Sequence, residues 1–114
     1  MKNPFGGMGD LSKMMQAARE MQDKVENLQK SLDAITVTGE AGAGLVRATA
    51  TAKGDLTALD IDPSIFVASE KQVVEDLILA AIKDAQARAT ERAQSEAQRL
   101  AQEMGLPPGM KLPV

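Results

Sequence analysis

The chain has no cysteine and no histidine. Their absence removes thiol nucleophiles, disulfides, imidazole acid–base chemistry and the usual protein ligands of transition metals. Tryptophan and tyrosine are missing too, and the aromatics amount to Phe5 and Phe66. Burial must therefore rest on Ala, Leu, Val, Ile and Met, without large anchors. The chain's 114 residues suit a single domain, 1–114, whose core will be thin, and association is one way to make up the deficit. The longest purely apolar run, Leu77 to Ile82, is far too short to cross a bilayer, and the N-terminus lacks an apolar signal region. A soluble, cytoplasmic protein with no membrane partner is expected, and neither an enzyme, a cofactor nor a small-molecule substrate. The net charge of -3 excludes the simplest nucleic-acid footprint, a strongly basic domain. Any such contact must come from local patches.

What is present is organised by period. Asn3 to Gly9 is glycine-rich and reads as irregular, ending at Asp10, a suitable helix N-cap. From there Leu11, Met14, Ala18, Met21, Val25, Leu28, Leu32 and Ile35 step by three and four, as a coiled-coil seam does. A helix from Asp10 to about Ala34 would be roughly 37 Å long. The rest of the domain is too small to cover the whole stripe. Part of it should pack on the chain's own second helix, and the remainder predicts a dimer interface at Leu11, Met14, Met15, Ala18, Met21, Val25 and Leu28. Met14, Met15 and Met21 suit an adaptable interface.

After Ile35 the period falls to two. Ile35–Thr38, Leu45–Ala52 and Leu56–Asp62 read as a three-stranded antiparallel meander, with Val46, Ala48, Ala50 and Ala52 on one face of the middle strand. Leu59 and Ile61 share a face opposite Asp60 and Asp62, and Lys53-Gly54-Asp55 forms the second turn. Pro63 ends the last strand. Ser69 with Gln72 forms a capping-box pattern, and a second long helix runs to Met104, stopped by Gly105 and Pro107-Pro108. On it, Leu77, Ala81, Ala85, Ala89, Ala93, Ala97 and Ala101 form a ridge of small residues suited to close helix approach, its distal half away from the sheet. The predicted class is α+β, ordered α-β-β-β-α, with flexible tails at 1–9 and 106–114.

Four candidate sites stand out. Gly39 to Gly44 resembles a phosphate cradle, but a strand and not a helix follows, so a flexible hairpin loop is the better reading. Asp60 and Asp62, with Asp55, could hold Mg²⁺ or Ca²⁺; two carboxylates alone rarely make a site, and solvated edge positions explain them as well. The same pair lacks the walled cleft that carboxylate catalysis on a sugar would need. The basic residues are the more informative set. Arg88, Arg92 and Arg99 fall within about 40° on the second helix, spanning about 16 Å. Lys13, Lys24 and Lys30 are read as a similar line opposite the seam, with Arg19 off it. Glu91, Glu96 and Glu103 at three- and four-residue spacings give the competing reading, a solvated helix face.

Taken in order, the residues resemble the YbaB/EbfC nucleoid-associated DNA-binding proteins of bacteria. The resemblance rests on the Pro4-Phe5-Gly6-Gly7-Met8-Gly9 opening, Met14-Met15, Thr38-Gly39-Glu40-Ala41-Gly42-Ala43-Gly44-Leu45-Val46, Gly54, Ile61-Asp62-Pro63, Val74 to Ala81 and Leu106-Pro107-Pro108-Gly109. It implies the same helix–sheet–helix order, a tweezer-like homodimer with projecting helices, and binding to double-stranded DNA that shapes the nucleoid and gene expression. Phosphate contact by Lys13, Arg19, Lys24, Lys30, Arg88, Arg92 and Arg99, with weak sequence preference, is then expected. The alternative is a protein-interaction module that docks through the seam and the Pro-rich tail. Gln72, where the family usually has an acidic residue, and the Ala- and Arg-rich stretch from Ala85 to Ala101 depart from the pattern.

Overall fold

The computed structural model describes residues 6–105. Helix α1 spans Gly6–Ala34 and helix α2 Lys71–Glu103, on either side of strands β1 (Thr36–Ala41), β2 (Val46–Thr51) and β3 (Leu56–Ile61). The strands form one antiparallel sheet in the order β1-β2-β3. The whole is elongated, 84 × 22 × 18 Å.

Helix α1 starts four residues before Asp10, correcting the expected boundary. In a first turn the amides lack intrahelical partners in any case, so each glycine costs only about 1 kcal/mol of backbone entropy relative to alanine. The helix nucleated downstream gains a hydrogen bond for each residue it extends over. Of the expected N-terminal tail, residues 6–9 are thus helical, while 1–5 and the expected tail at 106–114 lie outside the described residues.

Strand β1 also runs further than the sequence suggested. Gly39, Glu40 and Ala41 pair with Ala48, Arg47 and Val46, so the glycine-rich loop shrinks to a turn at Gly42–Leu45. Gly42, Ala43 and Gly44 turn it with φ of 63°, 57° and 89°. Gly39 serves another purpose. It lies buried beneath α2, where a Cβ would overlap the backbone of Ala85 and the carbonyl of Ala81. The glycine lets helix and strand approach closely.

The Ser69–Gln72 capping box does not form. Ser69 sits inside a 3-10 turn, Ala68–Glu70, that feeds directly into α2, and the N-cap Glu70 makes no side-chain capping bond. The far end behaves as expected: Gly105, at φ 71°, donates its N–H to the Gln102 carbonyl at 3.0 Å.

Two small cores result. In the first, Val46, Ala48 and Ala50 of β2 meet Ala81 and Ala85 of α2, ringed by Val37, Ile61, Leu77, Ile78 and Ile82. In the second, Leu28, Leu32 and Ala52 meet Ile35, Ala93, Ala97 and Leu100. The alanine ridge therefore serves sheet and helix in turn. Leu77 lies by Gly42, Ala85 by Gly39 and Ala93 by the end of α1, so α2 runs back along β1 and then along α1. Helix α2 lies over β1 and β2. Strand β3 is left exposed, Ile61 alone being half-buried.

Candidate nucleic-acid interface

The α1 seam divides in two. Leu28 and Leu32 are buried and Met21, Val25 and Ile35 half-buried, whereas Leu11, Met14, Met15 and Ala18 are exposed. The cause is geometric: α2 ends at Glu103, and α1 projects beyond it as a bare arm in which every residue from Asp10 to Glu20 is exposed. Leu28, expected in a dimer interface, is covered by this chain's own α2.

The α1 cations do not form one stripe. At 100° per residue Lys13 and Lys24 differ by about 20°, Arg19 and Lys30 by about 20°, and the two pairs are about 120° apart. Helix α1 carries positive charge on two flanks of its apolar stripe, with Lys13 and Arg19 on the arm itself. All four cations are exposed, and among the described residues none has a carboxylate within ion-pair distance. Lys83 on α2 is a fifth cation of this kind, and sequence reasoning passed over it because it stands apart from the arginines.

The α2 arginines do line up, but they are engaged. Arg88 donates to Asp84 at 3.1 Å, Arg92 to Glu96 at 3.1 Å, and Arg99 to Glu96 at 2.6 Å. Three guanidiniums thus face two carboxylates. Glu96 is buried, so it acts as a pin holding two arginines about two helical turns apart, while the arginine side chains stay half-exposed or more. A guanidinium has five N–H donors, so donors remain for a phosphate after each ion pair is made. Arg88 and Arg92 also border a shallow groove with Val37, Thr38, Glu91 and Ser95. The solvated-face reading therefore accounts for Asp84 and Glu96.

Asp84 went unnoticed in the sequence, where a lone aspartate on a helix carries no signal. Its carboxylate accepts the Glu40 backbone N–H at 3.0 Å as well as Arg88. Those two interactions, the backbone one first, hold its pKa below the ordinary 3.8. Asp60 sits across from Arg47 in the sheet register, with Glu40 on Arg47's other side. Asp62 accepts the Ser64 N–H at 2.9 Å, capping the 3-10 turn Pro63–Ile65, and this bond lowers its pKa. Among the described residues no cluster of three metal-ligating side chains occurs, and no helix is long and apolar enough to cross a membrane.

Comparison with known proteins points one way. Residues 8–104 match the model of the YbaB/EbfC DNA-binding family. The chain is 43% identical over 106 residues to the nucleoid-associated protein Atu0095 of Agrobacterium fabrum, covering 93% of this chain and 99% of that one. It is 41% identical, with the same coverage, to a nucleoid-associated protein of Methylocella silvestris, and 40% identical to one of Gluconacetobacter diazotrophicus. The crystal structure of the Helicobacter pylori protein HP0035 shares the fold, with a TM-score of 0.66 at 22% identity over 82% of this chain and 94% of the other.

Proposed function

This chain belongs to the YbaB/EbfC DNA-binding family, and from that premise we propose that it is a nucleoid-associated protein of the cytoplasm that binds duplex DNA as a homodimer. Contact is made to phosphates by lysines and arginines of the two long helices, with little reading of base edges, and the consequence is altered nucleoid organisation and gene expression. The observation that carries this reading, beside family membership, is helix α1, whose exposed Lys13 and Arg19 on the projecting arm and Lys24 and Lys30 further along have no carboxylate within ion-pair distance among the described residues.

Counterion release favours such cations. A Lys or Arg that neutralises a phosphate frees a condensed ion, whereas one already balanced by a carboxylate contributes less. On this ground the α1 cations contribute more per residue than Arg88, Arg92 and Arg99. The net charge of -3 gives no long-range attraction to DNA, so binding rests on these local contacts and weakens steeply with salt.

The test is affinity for a duplex of about 30 base pairs, with Lys13, Arg19, Lys24 and Lys30 changed together to Gln, and Arg88, Arg92 and Arg99 changed together to Ala in a second protein. The first set should lower the salt slope by more than the second, at about one unit per lost contact. Two folded variants that bind as the parent does would overturn the assignment.

One observation favours a second reading, a module that docks on another protein. Leu11, Met14 and Met15 remain open on the arm at 56%, 68% and 54% exposure, an adaptable apolar strip. Nuclease-resistant retention of one specific protein, without a DNA mobility shift, would favour it.

A further inference from the structure

The apolar seam of α1 is covered at one end only. Leu28 and Leu32 are buried against α2, and Met21 and Val25 are half-buried, but Leu11, Met14 and Met15 stand exposed. The seam itself does not change, since it runs on in steps of three and four. What changes is its cover, because α2 ends at Glu103. Ala101 is still buried and Met104 half-buried there, and Gly105 turns out of the helix at φ 71°. The chain therefore leaves α2 where the covered part of the seam gives way to the bare part.

Nine residues, Leu106 to Val114, follow. They bring Leu106, Met110, Leu112 and Val114, three prolines and no acidic side chain. A proline fixes its own φ and biases the residue before it to extended backbone, so such a segment has little entropy to lose against a surface. At the rise of a polyproline helix it reaches about 28 Å. The bare arm from Asp10 to Glu20 is about 16 Å long at the α-helical rise, so the segment spans it with length to spare for the turn at Gly105.

We infer that residues 106–114 lie along the apolar strip of the α1 arm of their own chain, with Met110 and Leu112 against Met14 and Leu11. The competing occupant is the arm of a second copy. Leu11, Met14, Met15 and Ala18 span only about two helical turns, short of the roughly three heptads that sustain a coiled coil and of the roughly 800 Å² per partner that a stable interface buries. A tethered segment needs far less, because the chain itself sets its effective concentration, on the order of millimolar. Lys13 and Arg19 lie to either side of the strip and stay open to phosphates. A protein that docked on the arm would first have to displace the segment. So small a contact adds little to the stability of the fold, and it shows in local exposure.

The absence of cysteine makes the test direct, and it is read in the full chain without DNA, so its failure leaves the DNA assignment standing. Met14→Cys with Met110→Cys should oxidise to a disulfide within one chain, several-fold faster than Gln16→Cys with Met110→Cys, because Gln16 lies about 160° round the helix from Met14. Met110→Asp with Leu112→Asp should raise the alkylation rate of a Met14→Cys thiol several-fold, with helical circular dichroism retained. Equal oxidation at Gln16 and Met14, or an unchanged alkylation rate, would overturn the inference. A disulfide found only between two chains would also overturn it, by placing a second copy on the strip.

Discussion

Asp84 on α2 accepts the backbone N–H of Glu40 on β1 at 3.0 Å, and Arg88, one helical turn on, holds the same carboxylate at 3.1 Å. A helix side chain thus stands where a neighbouring strand would be, and so closes one edge of the sheet. The relationship fixes the side of the sheet that α2 covers, and with it the side left open.

The first prediction concerns this carboxylate. With its pKa held below 3.8, Asp84 stabilises the fold when ionised: the contribution is present above the unfolded-state pKa and is lost as pH falls through the lower folded value. Asp84→Asn should therefore lower the urea midpoint at pH 7, and the gap between variant and parent should close as the pH is taken below 3.8. A gap that widens on acidification would contradict the assignment.

Gly39→Ala should cost about 3 kcal/mol, because the added methyl meets Ala85 and Ala81 backbone that cannot move aside. Gly54→Ala would meet no neighbour, though its φ of 97° still makes alanine strained. Chemical denaturation of the two variants should therefore show a larger loss at Gly39. The reverse order would mean that helix and strand are not in this close contact.

The division of the α1 seam predicts unequal costs along one stripe. Leu28→Ala, in the core between the helices, should destabilise by about 2.5 kcal/mol, whereas Met14→Ala on the open arm should change stability by less than about 0.5 kcal/mol. Equal losses at the two positions would place both in one interface.

Glu96→Gln removes the shared partner of Arg92 and Arg99. Since both arginines are well solvated, the loss should be only about 1 kcal/mol. The freed positive charge should tighten DNA binding and steepen its salt dependence if the stripe faces phosphates. Unchanged binding in a folded Glu96→Gln protein would mean that the stripe does not.

Much of the architecture was legible in the sequence because it rests on period and punctuation. The change from a seven-residue seam to alternation after Ile35, the alternating Val46, Ala48 and Ala50, and the Gly105 stop each reflect local geometry. Gly39 was misread as a loop residue, since a glycine needed for close approach looks in sequence like one needed for a turn. The capping box at Ser69 failed because Ser69 lies within the 3-10 turn Ala68–Glu70, which runs directly into α2 and leaves Glu70 at the N-cap. The arginine stripe was visible. Its engagement by Glu96 was legible only as spacing and that by Asp84 went unnoticed, and the line drawn through Lys13, Lys24 and Lys30 does not survive placement on the helix. That β3 is an edge was legible, since Asp60 and Asp62 were read as solvated edge positions, but its bare apolar face was not, because Leu59 and Ile61 have the alternation of any half-buried strand and only the path of α2 decides that Leu59 is uncovered.

The central claim, that a dimer of this chain holds DNA through phosphate contacts, is tested most directly by titrating the parent protein against duplexes of different sequence from 50 to 200 mM salt. With six phosphate contacts or more per dimer, affinity should fall by about 10³-fold or more across that range, by the same factor for each sequence. An affinity that barely changes with salt, or that one sequence alone commands, would contradict it.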